Sequence, residues 1–338
     1  MALPGNQPTS LSPNHFPSLR IGVLGTSRVA GYALFEPARN RSDVTITGVG
    51  GRDQQRTSAY ANKHGIAQCY PSYDVLIEDS NLDAVYVPLP PSFHCEWSIK
   101  ALEAGKHVLC EKPLACTPEE AIRMRDAARA NDRVLMEGFH YRYHPLFPRV
   151  REYLERGELG KIRRIDASIK VYLPDLEDIR FKPQLGGGAL LDVGCYTINM
   201  VRFLLNAEPT VLTAGARRLP SGVDTDSQAT LAFPDGSEGS IHCSLRAKPW
   251  EWRLTVRVEG TRGTLNVINP LLPHIFNWLS VRQGNNTIWR GRVPGDSTYR
   301  GQLDSFVGAI NRREPFTTTA DDAILNLKVL HKIQELSA

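Results

Sequence analysis

From Arg20 to about Leu135 the chain alternates short apolar runs with helical stretches, and this alternation limits its fold more than any other feature. The runs at 21–24, 44–49, 84–89, 107–110 and 134–136 have strand length and no polar face, as strands buried on both sides do. Segments such as 54–64 and 96–104 lie between them. They end on Gly65 and Gly105, residues suited to the left-handed turn that closes a helix. Thr117-Pro118-Glu119-Glu120 predicts a helix start, with Thr117 as N-cap and Glu120 completing a capping box. Such a βαβα order predicts a doubly wound parallel sheet with helices on both faces.

After about Pro145 the pattern changes. Residues 165–171 alternate apolar and polar, the sign of a sheet with one open face. Runs 230–233 and 240–245 flank Pro234-Asp235-Gly236 and predict a hairpin. Run 252–258 ends at the turn Gly260-Thr261-Arg262-Gly263, and a last helix is expected from Thr319 to Leu336. The expected architecture is α/β: a Rossmann domain over 19–140, then an α+β domain over 141–338 with a large, open-faced, mostly antiparallel sheet. Residues 1–18, rich in Pro, Ser and Asn, read as a disordered tail without the charged start and apolar middle of a signal peptide.

Composition narrows the partners. The 338 residues are 41% hydrophobic and 22% charged, with a formal charge of +4. Lys/Arg runs stop at two residues, so neither nucleic acid nor a membrane is expected as a partner. The six cysteines lack metal-ligand spacing and predict reduced thiols in a cytoplasmic protein.

The first strand runs into Gly25-Thr26-Ser27-Arg28-Val29-Ala30. Gly25, Ser27 and Ala30 occupy the three places of a dinucleotide fingerprint, which needs a tight turn, close backbone approach to pyrophosphate and close helix packing. The second strand ends in Gly51-Arg52-Asp53. With Gly51 at the acid position, Arg52 is placed to grip a 2′-phosphate by its planar fork, favouring NADP. A one-residue shift would instead make Asp53 the acid of an NAD enzyme. Lys112, in Glu111-Lys112-Pro113 at the end of the 107–110 strand, stands where such sheets bind ligands. Asp192 and Tyr196, four apart behind Gly186-Gly187-Gly188, share one helix face.

These segments, with Leu89-Pro90-Pro91-Ser92-Phe93-His94 and Gly105 through Pro113, resemble the glucose–fructose oxidoreductase/inositol dehydrogenase (Gfo/Idh/MocA) family from Arg20 to the last helix. Pro91 replaces an Asn common in the family, and Tyr196 replaces its common His. The Asp-x-Gly-x-Tyr form and Tyr141-Arg142-Tyr143-His144-Pro145 resemble the branch of xylose and dihydrodiol dehydrogenases. The resemblance implies a nicotinamide cofactor, NADP rather than NAD, a cyclic sugar, polyol or diol substrate, and a homodimer or homotetramer built through the second sheet.

The candidate catalytic residues are Lys112, Tyr196 and Asp192. Gly25, Thr26, Ser27, Arg28, Val29, Arg52, Leu89, Pro90, His94, Glu111 and Lys112 are the candidates along the cofactor. Arg142, with Lys112, Asp192 and Tyr196, is a candidate against substrate or a tie between domains. Burial beside the cofactor is expected to lower the pKa of Lys112 toward ~7–8, and the lysine to lower that of Tyr196. Strand alternation predicts that Glu111 faces away from the cleft. Two alternatives stay open: a catalytically silent cofactor sensor of the same fold, and an NAD-dependent glycosidase-like enzyme.

Overall fold

The computed structural model describes residues 18–338, so the tail expected over 1–18 lies, Ser18 apart, outside the described residues. Six strands, β1 (Leu19–Leu24), β2 (Val44–Gly50), β3 (Gln68–Tyr70), β4 (Ala84–Val87), β5 (His107–Cys110) and β6 (Leu135–Glu137), form a parallel sheet. Its order, β3-β2-β1-β4-β5-β6, reverses direction between β1 and β4. That switch point opens a crevice at the carboxyl ends of the strands.

Local chemistry sets the crossovers. Asp53 caps α2 (Gln54–His64) by accepting from Arg56 N–H at 3.0 Å, and Gly65 closes it at φ +65°. Thr117 caps α5 (Pro118–Ala130) as expected, accepting from Glu120 N–H at 3.2 Å. Glu120 reaches one residue further back than a capping box requires, taking the N–H of Cys116 at 3.0 Å. After Gly25 the chain enters a π-helical turn, Gly31–Phe35, that runs into the short α1 (Glu36–Ala38).

The second sheet has eight strands in the order β14-β13-β12-β11-β7-β10-β9-β8. They are β7 (Ile162–Lys170), β8 (Thr210–Arg218), β9 (Asp224–Ala232), β10 (Glu238–Ser244), β11 (Arg253–Gly260), β12 (Gly263–Ile268), β13 (Trp278–Gln283) and β14 (Asn286–Gly291). The β9–β10 hairpin is present, with Gly236 in its turn at φ +85°. Every pairing is antiparallel except β7 with β10. One face of this sheet packs Ile165, Ala167, Ile169, Ile241 and Val256 against α7 (Cys195–Leu205), and the other carries polar residues such as Asp166, Ser240 and Arg257.

The two C-terminal helices return to the first sheet. Tyr299, Leu303, Phe306 and Val307 of α8 (Thr298–Arg312) enter the core on one of its faces. In α9 (Ala320–Leu336), Ala323, Ile324 and Leu327 enter the core on the other face, while Val329, Leu330 and Ile333 enter the core beneath the second sheet. The most apolar helical stretch, 183–205, is core, with 83% of its most apolar window buried.

Candidate active site

Two depressions open along the switch point. The longer is a groove of about 560 Å³ lined by Gly25, Thr26, Ser27, Gly51, Arg52, Leu89, Pro90 and Phe93. Gly25 sits at φ +82°, and a Cβ there would lie 3.0 Å from the Leu89 side chain. Its N–H is tied to Gly50 O at 2.7 Å, so the turn is fixed where Thr26 and Ser27 line the groove. The Arg52 guanidinium lies over the Phe93 ring at 5.9 Å. Asp53 is spent on capping α2. One oxygen of the acid that an NAD-type reading would need is thus taken by the helix, although Asp53 lines the groove together with Arg52 and Arg56.

The second depression, about 130 Å³, adjoins the first and holds Ser27, Val29, Glu111, Lys112, Arg180 and Asp192 among its walls. Lys112 Nζ lies 2.8 Å from Asp192 Oδ1 and donates to Asp192 O at 2.8 Å. Arg180 Nε holds the other oxygen, Oδ2, at 3.0 Å. The carboxylate bridges two cations in a site where Lys112 is 16% and Asp192 20% exposed. Tyr196, nearly buried, presents its ring to Lys112 Nζ at 5.1 Å. A π-helical segment, Leu190–Gly194, carries Asp192 and passes into α7 at Cys195; such local unwinding is frequent at functional sites.

The electrostatics correct three expectations. Burial pulls the Lys112 pKa down, but the charge and hydrogen bond of Asp192 outweigh it, and the ammonium is held above its ordinary value. Burial likewise lifts the Asp192 carboxyl, and Lys112 and Arg180 override it, leaving the group ionised below the usual range. Tyr196 rises well above 10 because burial dominates and Tyr299, Glu111, Cys195 and Asp192 add to it. Glu111 faces the cleft after all: its Oε1 accepts the Tyr86 hydroxyl at 2.6 Å, and burial raises its pKa. The strand ends at Cys110, so β alternation no longer governs Glu111.

Three candidates lie elsewhere. His94 is fully buried and does not line the groove. Its ring nitrogens face Leu89 O (2.7 Å) and Pro113 O (2.8 Å), pinning the groove loop to the lysine turn from behind. Arg142 binds Asp322 Oδ2 at 3.0 Å and Asn199 Oδ1 at 3.2 Å and stacks on Phe203 at 3.8 Å. It ties β6's exit to α7 and α9 and is not among the Lys112 pocket walls. Arg28 is exposed beside the groove and is not one of its wall residues.

Sequence reasoning missed Arg180, Glu137 and the pair Tyr32/Tyr299. Arg180 had an indirect signal in the glycine run. Gly188 N–H bonds Arg180 O at 2.9 Å, and a Cβ on Gly187 would stand 2.7 Å from that same oxygen. The run closes the 180–188 loop and so seats Arg180 on Asp192. Glu137 is buried at the end of β6, where its Oε1 accepts Leu114 N–H at 2.7 Å behind the lysine turn.

Residues 19–139 match the oxidoreductase family with an NAD-binding Rossmann fold, and residues 147–266 match the GFO/IDH/MocA C-terminal domain. The chain belongs to the Gfo/Idh/MocA oxidoreductase family. Among its relatives, the D-xylose 1-dehydrogenase (NADP(+)) 2 of Haloferax volcanii is 32% identical, covering 94% of this chain and 97% of the relative. The trans-1,2-dihydrobenzene-1,2-diol dehydrogenase of Bos taurus is 32% identical over 75% of each. A solved structure, the 3-ketoreductase KijD10 from Actinomadura kijaniata with NADP and TDP-benzene, superposes with a TM-score of 0.88. It is 26% identical and the match covers 95% of this chain and 98% of KijD10.

Proposed function

We propose that this Gfo/Idh/MocA protein is an NADP-dependent oxidoreductase that transfers hydride between the nicotinamide and a carbinol carbon of a cyclic sugar, polyol or vicinal diol. The observation that carries the reading is the Lys112–Asp192–Tyr196 cluster, placed at the switch point next to a groove built for a dinucleotide. The relatives that act on xylose and on a dihydrodiol, and the NADP held by KijD10, support the same reading.

The residues fit the cofactor. The left-handed Gly25 turn and the backbone of Thr26 and Ser27 would hold its pyrophosphate, and Arg52 would take the 2′-phosphate in a bidentate, charge-assisted contact. Leu89 and Pro90 would line its path toward Lys112. When bound, NADP supplies the hydride acceptor and its reduced form the donor. The chain's own residues handle the proton. Lys112, charged by its pairing with Asp192, donates a hydrogen bond to the reacting oxygen. The buried Tyr196 hydroxyl, an acid kept protonated, gives its proton to that oxygen in reduction; in oxidation the Lys112/Tyr196 pair first loses a proton to solvent, and the tyrosinate so formed takes the proton of the substrate hydroxyl. Arg180 and Asp192 fix the lysine and hold a neighbouring hydroxyl. In this account the cofactor half spans 19–140 and the substrate half 141–338, the latter lending α8 and α9 back to the former. The protein is placed in the cytoplasm, as a homodimer or homotetramer through the polar face of the second sheet.

The test is a panel of aldoses, inositols and vicinal diols with NADP and NAD, followed by the absorbance of the reduced cofactor. Turnover of one class with NADP is expected. Tight NADP binding without turnover on any of them would favour a cofactor sensor instead.

A further inference from the structure

A third cavity, about 520 Å³, lies beyond the reacting cluster, between Tyr32 on the first helical turn, the 272–275 loop joining β12 to β13, and the start of α8. Among the described residues, none lines both this cavity and the Lys112 pocket; a chain of aromatic rings links them. Tyr32 and Tyr299 meet edge to face at 5.4 Å, Tyr299 stacks on His140 at 4.0 Å, and His140 stands 6.1 Å from Tyr196. On its other side the Tyr32 hydroxyl senses the cluster: burial and then Glu111 raise its pKa, while Lys112 and Arg180 pull it down.

The walls are larger and more apolar than a single reacting ring calls for. Tyr32 (51% exposed) and Ile275 (64% exposed) leave apolar surface open beside the site, and Leu272 and His274 extend it. Cavities of roughly 300–1,000 Å³ with mainly apolar walls and a few polar groups are the usual form of small-molecule sites. The rim is poor in available charge: Arg39 is engaged by Glu36 at 3.0 Å, and among the described residues only Arg300 stands there as a cation without an ion-pair partner. A diphosphate would call for more than one such group. Aromatic faces bordered by hydroxyl and imidazole groups suit instead a neutral ring, apolar on its faces and polar at its edge.

We infer that this cavity is a subsite for the second ring of a glycosidically linked substrate, so that the enzyme prefers a disaccharide to the free monosaccharide whose carbinol reacts. The inference rests on the oxidoreductase reading for the identity of the neighbouring site. Tyr32 and Tyr299 divide the reacting ring from the second ring, and the 272–275 loop closes over the latter.

The experiment titrates the NADP-loaded protein calorimetrically with D-glucose, maltose, cellobiose and UDP-glucose. Binding is read without turnover, so a failed oxidation assay, which would sink the functional reading, leaves this result legible. A disaccharide is expected to bind at least ~10-fold more tightly than glucose, the worth of about 1.4 kcal/mol. Ile275→Asp, at an exposed position, is expected to erase that gain while leaving glucose binding within twofold, and Tyr32→Ala to reduce the gain in the same direction. Equal affinity for glucose and both disaccharides would overturn the proposal, as would a gain that survives Ile275→Asp. Selective tightening by UDP-glucose that Ile275→Asp removes would do so too, by assigning the cavity to a nucleotide.

Discussion

The Lys112 ammonium is the residue on which the chemistry turns, and its environment decides how it works. A buried lysine alone would lose its proton, yet Asp192 holds it charged. The cofactor-free site is therefore acidic, with Lys112 and Tyr196 both protonated at neutral pH. Oxidation must remove a proton from this pair and reduction must draw one from it. The logarithm of kcat/KM for oxidation is thus expected to climb with pH from 6 to 9, while that for reduction stays level and then falls. A pH profile in both directions checks the sign. Lys112→Ala is expected to lower kcat/KM by roughly 10²–10⁴, the usual worth of a positioned proton-transfer group, with NADP affinity nearly unchanged. Retention of wild-type turnover in that variant would remove Lys112 from the mechanism. Arg52→Gln should weaken NADP by about 10–100-fold, as loss of a charge-assisted contact does, and leave NAD within about threefold; fluorescence quenching by NADPH and NADH measures both.

At the scale of the element, the lysine turn is held from behind by groups that never meet the solvent. His94 holds Pro113 O, and Glu137 holds Leu114 N–H while its Oε2 has no hydrogen-bond partner. Burial raises the Glu137 carboxyl to about 8, against ~4.3 in an unfolded chain. Between those values the folded protein keeps a proton that the unfolded chain has released, so this group's stabilisation is complete below about pH 4 and is lost as the pH rises toward 8. Glu137→Gln preserves shape without that titration. Relative to wild type, it is expected to gain about 1 kcal/mol or more in stability between pH 5.5 and 8.5, one group being worth at most ~1.4 kcal/mol per pH unit. Urea unfolding at the two pH values measures the difference, and an unchanged difference would mean that Glu137 is ionised in the fold.

Elements also show what the sequence could reveal. Strands β1, β2, β4, β5 and β6 were legible because burial on both faces leaves uninterrupted apolar runs, and α2 and α5 because Asp53, Gly65 and Thr117 mark their ends locally; β3, three residues with an exposed polar start, was not. The fingerprint, Lys112 and the Asp192/Tyr196 spacing were legible for the same reason: each is a short-range pattern. What escaped is long-range. Arg180 meets Asp192 through a loop closed by three glycines, and Glu111 turns into the cleft because its strand has ended. The rise of the Lys112 pKa depends on a carboxylate 80 residues away. Strand β8 escaped because a half-exposed run with mixed polarity carries no clean period; helix α8 carries one, Tyr299, Leu303 and Phe306 lying at helical spacing, and went unpredicted.

The whole molecule is held together by α9, whose one stretch supplies Leu327 to the core of the first sheet and Leu330 to that of the second. Leu330→Ala removes a fully buried side chain and is expected to cost ~2–5 kcal/mol. Both halves should melt together in wild type and variant alike, as one calorimetric transition that moves downward; separate transitions would show that α9 does not couple them. This coupling matters for function, because Lys112 belongs to the first sheet and Asp192 and Tyr196 are carried by the second. The central claim is direct hydride transfer across that junction, and its most direct measurement uses a substrate deuterated at the carbinol carbon, oxidised with NADP in ordinary water. The deuterium is expected at C4 of the nicotinamide, in wild type and, at a rate lowered by roughly 10²–10⁴, in Lys112→Ala. Deuterium appearing in the water, with no label on the cofactor, would contradict it.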